Sequence, residues 1–67
     1  MIETLTPRRT AEILRDCGMK TSEETIRLGL QQGVFPFGEC ILQENGRKVC
    51  YIYKQLLEKW IQDRTSN

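Results

Sequence analysis

Residues 6–33 read TPRRTAEILRDCGMKTSEETIRLGLQQG, and the spacing of this stretch decides the fold. Thr6 is placed to cap a helix, and Pro7 suits its first position, where a missing N–H has no helical partner to lose. Ala11, Leu14 and Cys17 recur at helical spacing, Ile13 widens the stripe, and Gly18 suits a C-terminal stop. Cys17 reads as a small core residue. Thr21 starts a second helix, and Glu24 three residues later completes a capping-box pattern. Ile26 and Leu30 lie one turn apart and form its inward face; Gly33 ends it. The connection, about Gly18 to Lys20, is short. Two short helices joined by a tight glycine-containing turn read as a helix-turn-helix.

Outward from this pair, Cys40-Ile41-Leu42 and Lys48-Val49-Cys50-Tyr51-Ile52 are rich in strand formers. Asn45-Gly46 between them is the strongest short hairpin signal. Phe35-Pro36-Phe37-Gly38 leads in, with Pro36 keeping the connector extended. A closing helix from about Lys54 to Arg64 carries Leu56, Leu57, Trp60 and Ile61 on one apolar face. The terminal Thr65, Ser66 and Asn67 are expected to fray. The order is helix, turn, helix, hairpin, helix, with the hairpin placed to act as a wing beside the second helix.

Asn45 and Gly46 as a two-residue loop would pair Glu44 with Arg47. Cys40 then faces Tyr51, and Cys50 faces Ile41. Strand alternation puts the two cysteines on opposite faces and excludes a disulfide between them. A register one residue away would place them opposite each other, so the exclusion depends on the turn. The same pairing groups Leu42, Val49 and Tyr51 with Cys40, and Ile41, Cys50 and Ile52 on the other face. One of these faces stands open to a protein contact unless Trp60 or Phe37 covers it.

The chain has 67 residues, enough for one domain with a thin core. Its composition is that of a globular domain, 39% hydrophobic and 28% charged. The net charge of +1 announces no nucleic-acid partner by itself, so any such claim rests on where the charges sit. No apolar run is long enough to span a bilayer, and no signal peptide is visible. Three cysteines, an odd number, fit free thiols in a reducing compartment, and the expectation is a cytoplasmic protein.

Leu5-Thr6, Ala11 with Ile13-Leu14, Ser22 with Thr25-Ile26, Gly33 with Pro36, Tyr51-Ile52, and Leu57 with Trp60-Ile61 follow one another in a pattern that has a known counterpart. From Leu5 to Gln62 the chain resembles the excisionase-type, MerR-like winged-helix modules of phages and mobile elements. The resemblance implies a small α+β winged helix-turn-helix that binds double-stranded DNA. It implies an excisionase or recombination directionality factor that binds repeated sites, bends DNA and contacts an integrase. A small transcriptional regulator is the alternative role on the same fold. Glu23 and Glu24 stand where family members often carry basic residues.

In a groove-reading second helix, the N-terminal outward residues Ser22, Glu23, Thr25 and Arg27 address bases, with Lys20 and Thr21 at the phosphates. Arg27 can bond guanine acceptors, and a glutamate can accept from the cytosine amine. Glu23 and Glu24 can equally serve the helix alone, by capping it and complementing its dipole. At the hairpin tip, Arg47 and Lys48 can reach phosphates or the minor groove, or simply keep a turn solvated. Arg8 and Arg9 oppose the first helix's dipole; a phosphate would explain them, as would surface placement with Arg8 paired to Glu12.

Catalysis has little to stand on. There is no histidine, no activated cysteine and no glycine-rich phosphate loop, and zinc lacks a ligand set. No enzyme, cofactor or metal is expected. The competing class is a protein-interaction module that keeps the fold without DNA binding.

Overall fold

The computed structural model describes residues 1–65. Six elements follow in order: β1 (Thr4–Leu5), α1 (Pro7–Asp16), α2 (Glu23–Gln31), β2 (Gly38–Leu42), β3 (Lys48–Tyr53) and α3 (Lys54–Thr65). The strands form one antiparallel sheet in the order β1-β3-β2. The result is a small α+β structure of three helices and a three-stranded sheet. No helix among the described residues is long and apolar enough to cross a membrane.

Local chemistry sets both ends of α1. The Thr6 hydroxyl accepts from the Arg9 N–H at 3.0 Å, and Pro7 occupies the first turn. At the other end Gly18 takes a left-handed φ of +95°. Its N–H bonds the Arg15 carbonyl and the Met19 N–H bonds the Leu14 carbonyl, the paired closure that a glycine permits there. Gly33 closes α2 in the same way, through Leu30 and Gly29. Cys17 is the exposed cap of α1 and not a core residue. The core stripe of a helix that stops at Asp16 ends one turn earlier, at Leu14.

The core joins all layers. Ala11 and Leu14 of α1 meet Ile26 and Leu30 of α2, Ile52 of β3, Leu57 of α3 and Phe37 from the connector. Phe37 is fully buried. It stacks on Phe35 at 5.1 Å between ring centroids and takes the edge of Trp60 at 5.3 Å. Gly29 makes room for Phe35, since a Cβ there would enter its ring. On α3 only Leu57 is fully buried; Trp60 and Ile61 pack partly, and Leu56, expected inward, is 47% exposed. The Arg64 guanidinium lies 3.9 Å over the Trp60 ring.

The sheet departs from the sequence reading in two ways. β1 was not expected; Thr4 and Leu5 pair with Tyr53 and Ile52. Two residues carry too little pattern to be read as a strand, and only the open edge of β3 makes them one. The hairpin register is also shifted by one residue. Gly38 faces Ile52, Cys40 faces Cys50 and Leu42 faces Lys48. The loop is Glu44-Asn45-Gly46, closed by the Gly46 N–H on the Gln43 carbonyl and the Gln43 N–H on the Arg47 carbonyl. A two-residue turn of the favoured type needs positive φ at both Asn45 and Gly46. Among the described residues only glycines have it, Gly46 at +83°. The Asn45 side chain instead accepts from the Arg47 N–H at 3.0 Å.

The pairing is anchored at the far end of the hairpin. A Cβ at position 38 would collide with the Tyr51 carbonyl and press on the Ile52 Cα, so the residue opposite Ile52 must be Gly38. Counting regularly from that pair leaves an odd number of residues and hence a three-residue loop. Cys40 and Cys50 then oppose each other and are joined by a disulfide, which corrects the expectations of free thiols and of an excluded bridge. The faces change as well. Cys40, Cys50 and Ile52 point to the core, whereas Ile41, Val49 and Tyr51 share the outer face.

Phe37→Ala removes the ring on which Phe35 and Trp60 converge. It is expected to lower unfolding free energy by about 3–5 kcal/mol, measured by urea titration of Trp60 fluorescence.

Candidate nucleic-acid interface

α2 supplies the first group of candidate residues. Its cap is Ser22, not Thr21: the Ser22 hydroxyl accepts from the Thr25 N–H at 3.3 Å. The helix therefore begins at Glu23, and the expected Thr21–Glu24 capping box is not formed. Ser22 wins because its extended backbone (φ −140°, ψ 166°) aims the hydroxyl at the first free N–H groups. The Thr21 hydroxyl is buried and has no partner among the described residues. The Ser22 and Thr25 hydroxyls also lie 3.1 Å apart and bond each other.

Ile26, Gly29 and Leu30 turn α2's inner face to the core, which leaves Glu24, Thr25, Arg27, Leu28 and Gln31 exposed. Arg27 is held by Glu23, one turn back, at 2.7 Å. This Glu-before-Arg order is the favourable one on a helix, and the pair is half exposed, so it contributes little to stability. It still occupies the cation expected to reach bases. Glu23 and Glu24 fall in the first turn, where a helix favours negative charge. Lys20 is exposed just ahead of the helix.

The hairpin tip supplies the second group. Residues Ile41 to Lys48 are all exposed. Lys48 reaches back to α2, donating to the Gln31 carboxamide oxygen at 3.0 Å. The tip is thus docked at the C-terminal end of α2, while Ser22 and Thr25 lie at its N-terminal end. Nine helical residues separate the two groups by about 13 Å along the axis. Arg47 makes no ion pair among the described residues. Gln31 is a contact residue that sequence reasoning missed; it is 17 positions from Lys48, and no local signal joins them.

At α1, Glu12 pairs with Arg9 at 3.7 Å rather than with Arg8, so Arg8, like Arg15, has no ion pair among the described residues. Lys54 pairs with Glu3 at 3.3 Å. The surface therefore carries mixed charge, and among the described residues Arg8, Arg15, Lys20, Arg47, Lys48, Lys59 and Arg64 are exposed cations outside the ion pairs. Comparison with protein-family models, curated proteins and solved structures finds no match.

Ser22→Ala removes the α2 cap and is expected to lower stability by about 1 kcal/mol in thermal unfolding followed by circular dichroism. Thr21→Val, which removes an unpartnered buried hydroxyl, is expected not to lower it.

Proposed function

We propose that this chain is a winged helix-turn-helix module that binds double-stranded DNA. The observation that carries the reading is the docking of the hairpin tip on α2 through Lys48 and Gln31. It sets two exposed polar groups, one at each end of a single short helix, on a common framework. In this reading α1 and α2 are the helix pair, and the N-terminal turn of α2 enters the major groove. Ser22, Thr25 and Arg27 address bases, with Glu23 holding Arg27 until a guanine competes for it. Lys20 lies at the phosphate edge, whereas the buried Thr21 hydroxyl is withdrawn from it, and Arg47 and Lys48 anchor the hairpin as a wing.

By its resemblance, the role is that of an excisionase or recombination directionality factor of a mobile element, with an integrase as protein partner. A small transcriptional regulator is the alternative. A module of this size reads few base pairs, so specificity requires repeated sites or cooperative self-association on DNA.

A second reading has its own support. Lys20 and Arg27 are balanced by Glu23 and Glu24, and Ile41 and Tyr51 stand 48% and 40% exposed on the outer sheet face. Those features suit a protein-interaction module without DNA binding.

Fluorescence anisotropy with labelled random duplex DNA separates the two. DNA binding is expected to weaken with salt, log K falling by about 0.9 per phosphate contact per decade. Arg47→Glu combined with Lys48→Glu is expected to abolish it. Absence of binding at low salt overturns the DNA reading and favours the protein-interaction one.

A further inference from the structure

Two features of the hairpin pull against each other. Asn45-Gly46 is suited to a two-residue turn, yet the strands pair in the register that a three-residue loop requires. Ile41 lies largely exposed on the outer face while the smaller Cys40 takes the inner position against the core. Both arrangements are held by the Cys40–Cys50 disulfide, because a slip of one residue would carry the two sulfurs to opposite faces.

We propose that this disulfide is a redox latch on the register of the hairpin. The bond is half-buried, within reach of a small dithiol. A thiolate of that dithiol attacks one cysteine sulfur, the S–S bond breaks, and a mixed disulfide forms. The second thiol of the reductant then displaces the protein sulfur. Two electrons and two protons pass to Cys40 and Cys50, and the reductant leaves as its own disulfide.

Once released, the outer part of β2 slips by one residue. Gly38 stays opposite Ile52, since no other residue fits there. The extra residue moves out of the loop and into the strand, where Glu39 and Cys40 together oppose Tyr51 as a bulge. Ile41 then faces Cys50 on the inner face, and Asn45-Gly46 forms the two-residue turn. Glu44 comes opposite Arg47, so the tip cation gains a neighbouring carboxylate. Oxidation leaves Arg47 without an ion pair; reduction gives it one. The effect on DNA rests on the function proposed above, whereas the slip itself does not.

The test compares the full chain oxidised and after reduction with excess dithiothreitol. Thiol titration is expected to rise from Cys17 alone to all three cysteines. In the oxidised protein the Cys50 Hα is expected to give a nuclear Overhauser contact to the Cys40 Hα. In the reduced protein that contact is expected to move to Ile41. The Cys40→Ser, Cys50→Ser double variant is expected to show the reduced pattern without any reductant. A reduced protein that keeps residue 40 opposite residue 50, or loses every cross-strand contact from residue 50, overturns the latch. On random duplex DNA the reduced form is expected to have a salt slope shallower by about 0.9, one phosphate contact fewer. Equal slopes in the presence of the slip overturn the coupling of the latch to Arg47. Failure of both forms to bind overturns the DNA reading, and the Overhauser contacts then decide the latch alone.

Discussion

The close approach of Gly38 to the β3 backbone organises the hairpin and much of what surrounds it. A side chain at position 38 would collide with the Tyr51 carbonyl, so Gly38 alone can sit opposite Ile52. That pair sits where the hairpin meets the core: Ile52 is fully buried and Phe37, the preceding residue, is buried beside it. From this anchored end the pairing runs outward without a bulge, held in that register by the Cys40–Cys50 bond. Cys40 meets Cys50, Ile41 meets Val49, and the loop must hold three residues. The turn adapts to the strands, and Gly46 with its positive φ lets it do so.

The aromatic cluster behind this anchor does more than fill volume. Phe35, Phe37 and Trp60 come from the connector and from α3, and their contacts tie the hairpin root to the closing helix. In a chain this short, little other apolar mass is available to the core. Gly29 belongs to the same device, giving up helix propensity so that Phe35 can lie against α2. The Trp60 indole N–H is buried without a hydrogen-bond partner among the described residues, a polar cost accepted for the packing.

The candidate interface depends on that framework for its placement and on local chemistry for its content. α2 is oriented by Ile26 and Leu30, and the hairpin tip is steered to its C-terminal end by Lys48 and Gln31. The charges at the two ends differ in character. Near the N-terminus of α2 cations and carboxylates alternate, with Arg27 bonded to Glu23. At the tip Arg47 has no ion pair among the described residues, and ahead of α2 the same holds for Lys20.

Features governed by neighbours in the chain were legible without the fold. The limits of α1 follow from Thr6, Pro7 and Gly18, the end of α2 from Gly33, and the closing helix from its spacing of Leu57, Trp60 and Ile61. Each rests on hydrogen bonds or contacts within a few residues. The start of α2 was misplaced by one residue, because Thr21 and Ser22 are both capable caps and the helix takes Ser22, whose hydroxyl accepts from the Thr25 N–H. The hairpin's existence was equally local, but its register was not. Asn45-Gly46 argued for one pairing, and the Gly38 contact with β3 together with the Cys40–Cys50 bond, both outside the turn, imposed another. The disulfide, the outward face of Ile41 and Tyr51, the strand at Thr4–Leu5 and the Lys48–Gln31 contact all depend on that pairing or on elements meeting in space. Sequence alone determined where the chain turns and which segments are helical; tertiary structure decided which residues face one another, because pairing register is set by the packed end of a hairpin.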